Sequence, residues 1–222
     1  MISKESLLFL KDLKKNNNRD WFLANKKRYE TYKKEYYDLV QQFLDVLKSE
    51  DETLATLEVK DCVFRVNRDI RFSKDKSPYK SHMGLWFSPG RKNANRAGYY
   101  IHIEPGASFI AGGFYQPDAD ELRKIRKEIA FFYDELEEIV AYKNFKATFG
   151  KMDTDNALKT APKGYEKDHP AIDFLKLKCF TATAKIVDTV LSDKDFVKKI
   201  AQKLLTLKSM NAFLNRALTA ED

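Results

Sequence analysis

The chain has 222 residues, of which 43% are hydrophobic and 13% aromatic, and it carries a net charge of +7. This composition excludes a disordered or fibrous chain, and a chain of this length can bury roughly 70% of its unfolded surface. No apolar run approaches the ~20 residues of a membrane span, and the opening "MISKESLLFLKDLKK" lacks the small-residue cleavage site of a signal peptide, so a membrane protein or a secreted one is not expected.

Residues 3–15 read as a short amphipathic helix, with Ser3 as N-cap and Leu7, Leu10 and Lys14 in register. "NNN" at 16–18 ends it, and Asn18 can cap a second helix. Phe22, Tyr29, Tyr32, Tyr36, Val40, Phe43 and Leu47 then recur at steps of three and four, predicting a long helix to about Lys48. The plainest reading of this tyrosine-rich stripe is a buried face.

From Val59 to Phe114 the period changes to two. Strands are predicted over 61–72, 83–88, 98–104 and 107–112, with short returns that favour an antiparallel meander. Asp118 and Glu121 have capping-box spacing and open a helix with apolar positions Leu122, Ile125, Ile129, Phe132, Leu136 and Ile139. A small helix at 144–149, the loop "APKGYEKDHP", a short helix near 171–176 and a strand near 178–186 come next. The last helix begins after Ser192 and runs towards Leu218, with a break near Ser209. The fold class is therefore α+β: a mainly antiparallel sheet, a four-strand meander plus a later strand, packed against several helices. No linker or repeat divides the chain, which reads as a single domain over 1–222. Cys62 and Cys179 lie far apart among apolar residues and read as reduced thiols of a cytoplasmic protein.

The charge is localised. Between Lys60 and Gly98 there are ten basic residues and three acidic ones, so the rest of the chain holds thirty of each sign and is neutral. Such an asymmetry concerns partners rather than fold. On a strand over 61–72, Arg68 alone interrupts the apolar face Cys62, Phe64, Val66, Ile70 and Phe72, and so must meet a carboxylate, carbonyls or an anion; the simplest partner is an acid from a helix. Arg65 and Arg71 would be separated by about 20 Å at ~3.3 Å per residue and could not share one phosphate. Arg71 could share one with Lys74, Lys76 and Lys80, because "SKDKSPYK" is a turn-forming loop. Asp69 and Asp75 are too few to neutralise the whole segment. "AGGFYQPDADEL" adds a glycine turn, with Gly112 and Gly113, before a helix N-terminus that is receptive to anions.

Tyr100, His102 and Glu104 share one face of the third strand. With Trp86 and the arginines they would form a patch holding a base, an acid and an anion clamp, and His102 and Glu104 are the catalytic candidates. Lys163 and Tyr165 stand in a polar loop, where binding residues are common. A metal site from His82, His102 and Glu104 is conceivable, but no HExxH or comparable spacing supports it, so neither a metal nor another cofactor is assigned.

Several phrases together carry a resemblance: "NNNRDWFLANKKRYE", "FRVNRDIRFSKDKSPYK", "GYYIHIEPG", "AGGFYQP", "IRKEI" and "APKGYEKDHPAIDFLKLK". In this order they resemble the family known as domain of unknown function 2461, over nearly the whole chain. Ala111 departs from the glycine expected there. The resemblance implies one full-length domain and neither an activity nor a cofactor. The residues themselves point first to a protein binding a phosphate-bearing or other anionic small molecule, with or without catalysis upon it. Two alternatives stand beside it: nucleic-acid binding through residues 60–98, with Trp86 and Tyr100 as stacking platforms, and an interaction module for an acidic protein.

Overall fold

The computed structural model describes residues 1–90 and 94–219. Arg91 and Lys92 of the basic segment lie outside the described residues. In chain order the helices before the sheet are α1 (Lys4–Lys15), α2 (Arg19–Ala24), α3 (Lys26–Glu50) and α4 (Val59–Cys62), with a 3-10 turn at Glu52–Leu54. Strands β1 (Met83–Phe87), β2 (Gly98–Ile103) and β3 (Phe109–Phe114) succeed them, then α5 (Ala119–Phe131), α6 (Tyr133–Ala141), α7 (Lys143–Phe149) and α8 (Ile172–Leu175). Strand β4 (Phe180–Lys185) and helices α9 (Asp188–Leu191), α10 (Phe196–Leu205) and α11 (Lys208–Thr219) complete the chain. The strands form one antiparallel sheet in the order β1-β2-β3-β4, so the class is α+β. None of the described helices is long and apolar enough to cross a membrane.

The chain packs into two compact units, each drawn from three stretches of sequence. The first comprises residues 1–87, 100–110 and 185–202. Its core is the apolar face of α3, where Tyr32, Tyr36, Leu39, Val40, Phe43, Leu44 and Leu47 are all buried, as the three-and-four spacing requires. Phe43 meets Phe196 edge-on at 5.7 Å and Phe87 at 6.4 Å. Helix α1 is fastened to α3 through one carboxylate: Glu35 accepts from the Ser3 amide and from the Ser3 and Ser6 hydroxyls. The helix expected from Asn18 to Lys48 is interrupted at Asn25, whose side-chain amide donates to the Trp21 carbonyl and competes with the helical ladder.

The second unit comprises 88–99, 111–184 and 203–222. Ile125, Ile129, Leu136, Phe145, Phe180, Leu204, Leu207 and Phe213 form its buried centre. The helix expected through residues 122–139 breaks at Phe132, which lies between α5 and α6. The break lets Arg216 of α11 pair with Glu128 on α5 and Glu135 on α6. Gly112 and Gly113 are explained by close packing. A Cβ on Gly112 would lie 2.7 Å from the Gly98 carbonyl, and one on Gly113 (φ +108°) would lie 2.0 Å from that of Phe180.

The strand predicted over 61–72 does not form. Residues 59–62 are helical, and only two isolated antiparallel bridges come after them, Val63 with Leu85 and Asn67 with Tyr79. Four steps on one side face six on the other, so two extra residues between Tyr79 and Leu85 break the ladder. The pairing that survives, Arg68 N–H to the Pro78 carbonyl and Lys80 N–H to that of Val66, makes 66–80 an irregular hairpin.

Candidate functional site

Helix α3 turns Tyr29, Tyr32, Lys33, Tyr36 and Tyr37 towards one side by its three-and-four period. Opposite them stand Phe64, Arg65, Val66 and Asn67 from the base of the hairpin, with Lys80, His82 and Gly84 on its return. Between them lies a cavity of about 210 Å³. Tyr36 sets its width. The buried phenol donates to the Gly84 carbonyl and accepts from the Phe64 amide at 3.0 Å, tying both sides of the hairpin base to α3. Burial raises the Tyr36 and Tyr32 phenols well above their ordinary range, so both stay protonated.

The described lining contains three cations, Lys33, Arg65 and Lys80, and no carboxylate. Arg65 forms no salt bridge with any described residue, although its field helps to lower Asp69. The Lys80 ammonium stands 5.0 Å over the Phe64 ring, and that of Lys33 stands 5.9 Å over Tyr37.

The other predicted cations have different fates. Arg68 is partly buried and is held by Asp75 at 2.5 Å and by the Ser77 carbonyl at 3.0 Å. Its partner is thus a neighbouring loop acid, where a helical one was expected. The Asp75 carboxyl is pulled down to about 2, chiefly by the Ser77 hydroxyl and amide and then by Arg68. Arg71 is clamped by both oxygens of Asp69, at 3.0 and 2.7 Å. Lys76 donates to the Ile70 carbonyl at 3.0 Å. Lys74 is exposed. Arg68, Arg71, Lys74 and Lys76 are all absent from the cavity lining, so the expected cluster of Arg71 with Lys80 does not assemble there.

Gly112, Gly113, Lys163 and Tyr165 belong to the second unit. There the N-terminus of α5 is already occupied: Asp118 accepts from the amides of Asp120 and Glu121, and Glu121 caps Asp118 in return. The anion-receptive glycine turn is therefore spent on packing and on a capping box. Tyr165 lies edge-on to His169, with ring centroids 6.0 Å apart, and Lys163 is exposed.

The row on β2 assembles as its alternation requires. The Tyr100 hydroxyl is 3.1 Å from His102 Nδ1, His102 Nε2 is 3.1 Å from Glu104 Oε2, and Lys14 holds Glu104 Oε1 at 2.8 Å. Burial raises the Glu104 carboxyl, but Lys14 and His102 outweigh it and leave the group below its ordinary range. An ionised Glu104 can only accept, so His102 donates from Nε2 and accepts from Tyr100 at Nδ1. His102 is thereby oriented to take a proton through Tyr100. Trp86 lies 6.5 Å from Tyr100, ring to ring, and both are partly covered. The absence of a side chain on Gly84 makes room here, since a Cβ would come 3.0 Å from the Tyr100 hydroxyl.

His82 connects the two arrangements. It lines the cavity, and its ring centroid is 4.2 Å from that of His102. Burial first, and His102 next, lower its pKa to about 4, so it is neutral at pH 7. One ligand atom from each of His82, His102 and Glu104 lies within 4.8 Å of the other two, a grouping that could hold a metal ion. Lys33 is the cavity cation that sequence reasoning passed over; Tyr29, Tyr32 and Tyr36 read from sequence only as a buried face, and His82 only as a metal ligand. The signal for Lys33 was its place four residues from both Tyr29 and Tyr37.

The family model described as Conserved hypothetical protein (DUF2461) matches residues 5–213, and the chain belongs to that family. Comparison with curated proteins and with solved structures returned no match.

Proposed function

We propose that this DUF2461 protein binds a small phosphate-bearing or similarly anionic molecule in the cavity between α3 and the hairpin base. The observation that carries the reading is the lining itself: three cations, four tyrosines along α3 and no carboxylate among the described residues. Like charges gathered in one partly enclosed space repel, and an anion relieves that repulsion while accepting charge-assisted hydrogen bonds. Arg65 suits a bidentate grip, and the tyrosine rings offer apolar walls to a short organic group. At about 210 Å³ the cavity is smaller than the ~300–1,000 Å³ of drug-sized sites, which favours a compact ligand. The neighbouring Tyr100–His102–Glu104 row supports an acid–base step on such a ligand. Cys62 and Cys179, neither of them in a disulfide, support a cytoplasmic location.

A ligand that binds only the native state at a hundred times its Kd stabilises it by about 2.7 kcal/mol. For a chain of this size that corresponds to a rise in melting temperature of roughly 5–10 °C. Phosphate, sulfate and mononucleotides are the probes for thermal melting. The expected rise disappears in Arg65→Ala and in Lys80→Ala. No rise with any of a broad panel of anions contradicts the reading.

One observation favours nucleic-acid binding as a second reading. Phe72 is 95% exposed between Arg71 and Lys74, a stacking group flanked by charge. That reading expects affinity for short single strands to fall steeply with salt, by roughly 0.7 log unit per log unit of salt for each phosphate contacted, and to vanish in Phe72→Ala.

A further inference from the structure

We propose that His82, His102 and Glu104 form a binding site for a divalent first-row transition-metal ion. This does not rest on anion binding in the cavity. Two imidazoles and one carboxylate suit Zn²⁺ or a neighbouring metal better than Mg²⁺ or Ca²⁺, which prefer all-oxygen shells. The geometry is close to what one ion needs. His102 Nε2 and Glu104 Oε2 are 3.1 Å apart, within the ~3.0–3.4 Å edge of a polyhedron with metal–ligand bonds of ~2.1 Å. One ligand atom from each of the three falls within 4.8 Å of the other two, about 1.4 Å beyond the ~3.4 Å edge of a tetrahedral site. Because His102 and Glu104 are already at ligand spacing, His82 is the member that must move inward when an ion binds.

The surroundings fit the same role. His102 stacks on Phe109 with ring centroids 4.7 Å apart and planes at 13°, which fixes its plane. Its side chain is 12% exposed and that of Glu104 is 17% exposed, so the ion would be shielded yet reachable. Lys14 holds Glu104 by Oε1 and leaves Oε2 turned to His102. Neither ring nitrogen of His82 has a hydrogen-bond partner among the described residues, so a lone pair is available without breaking a contact. When the metal takes Nε2 of His102, the ring proton moves to Nδ1 and is donated to the Tyr100 oxygen. That supplies the outer-shell hydrogen bond that metal-bound histidines keep. Three protein ligands leave at least one coordination position open, and His82 places the ion beside the cavity that it also lines.

The test uses chelator-treated protein and Zn²⁺ alone, in a buffer without phosphate. The chain has three histidines, which makes ring NMR signals a direct readout without altering the fold. One equivalent of Zn²⁺ is expected to shift His82 and His102 and to leave His169 unmoved, with elemental analysis giving one zinc per chain after gel filtration. Affinity should fall at least a hundredfold in His102→Gln and in Glu104→Gln, and about tenfold in Tyr100→Phe, while His169→Ala binds as the parent does. Circular dichroism of the metal-free variants checks that they are folded. If no ring signal responds, or His169 responds equally, or binding survives Glu104→Gln, the site is not as proposed. Should any variant unfold, the ring signals of the parent protein decide alone.

Discussion

Two parts of the same hairpin show opposite treatments of positive charge. At the tip, Arg68 and Arg71 are each matched by an acid a few residues away, Asp75 and Asp69, and the geometry is complete without any other molecule. At the base, Arg65 and Lys80 face Lys33 across a cavity whose described lining offers no acid. The tip shows that a dense run of cations can be a self-contained structural device. The base shows that a few cations brought from separate segments make the better case for a ligand. Charge density along the sequence is a poor guide to a site; charge without an acid in the same enclosure is a better one.

Loss of Tyr36 should have the largest effect on this contrast. Tyr36→Phe leaves the Gly84 carbonyl and the Phe64 amide without their buried partner, which costs about 2–3 kcal/mol in chemical denaturation and loosens the base. Anion binding should weaken with it, whereas the tip contacts survive. Next come Arg65→Ala and Lys80→Ala, each expected to weaken phosphate binding at least tenfold by calorimetry, with little change in ligand-free stability for Arg65→Ala. Arg68→Ala is expected to cost about 1 kcal/mol, since it frees a loop carbonyl and an exposed carboxylate, and to leave phosphate affinity unchanged. Arg71→Ala belongs at the bottom of the scale: an exposed pair should change neither stability nor phosphate affinity measurably.

Acid titration sharpens the comparison at the tip. Asp75 has a folded pKa of about 2, below its ordinary value, so the contacts around it stabilise the fold above the ordinary carboxylate range. That contribution is lost as pH falls from about 3.8 through 2. Ser77→Ala, which removes the hydroxyl and keeps the amide, and Arg68→Ala should each raise the Asp75 pKa towards its ordinary value. Carboxyl NMR titration measures both.

Local signals were legible wherever local energies decide. Ser3 and Asn18 cap as their residue types suggest, and the Asp118–Glu121 box forms. The alternation of β2 leaves Tyr99, Ile101 and Ile103 buried and Tyr100 and His102 half-covered. Breaks set by distant partners were not legible. Phe132 carries no glycine or proline signal, and the helix divides there as Arg216 draws on acids from both pieces. Residues 61–72 alternate like a strand, yet the two-residue mismatch with 79–85 depends on both sides of the hairpin at once. The site followed the same rule. The Tyr100–His102–Glu104 row needed only strand period, whereas choosing Arg65 and Lys80 over Arg71 and Lys74 required knowing which side chains the irregular hairpin turns towards α3.

The most direct test is anomalous diffraction from crystals soaked in selenate, a heavy stand-in for sulfate and phosphate. A selenium peak bounded by Lys33, Arg65 and Lys80 is predicted, with none at the Arg68–Arg71 tip. Peaks at the tip alone, or a cavity without selenium while selenate sits elsewhere on the molecule, would contradict the account.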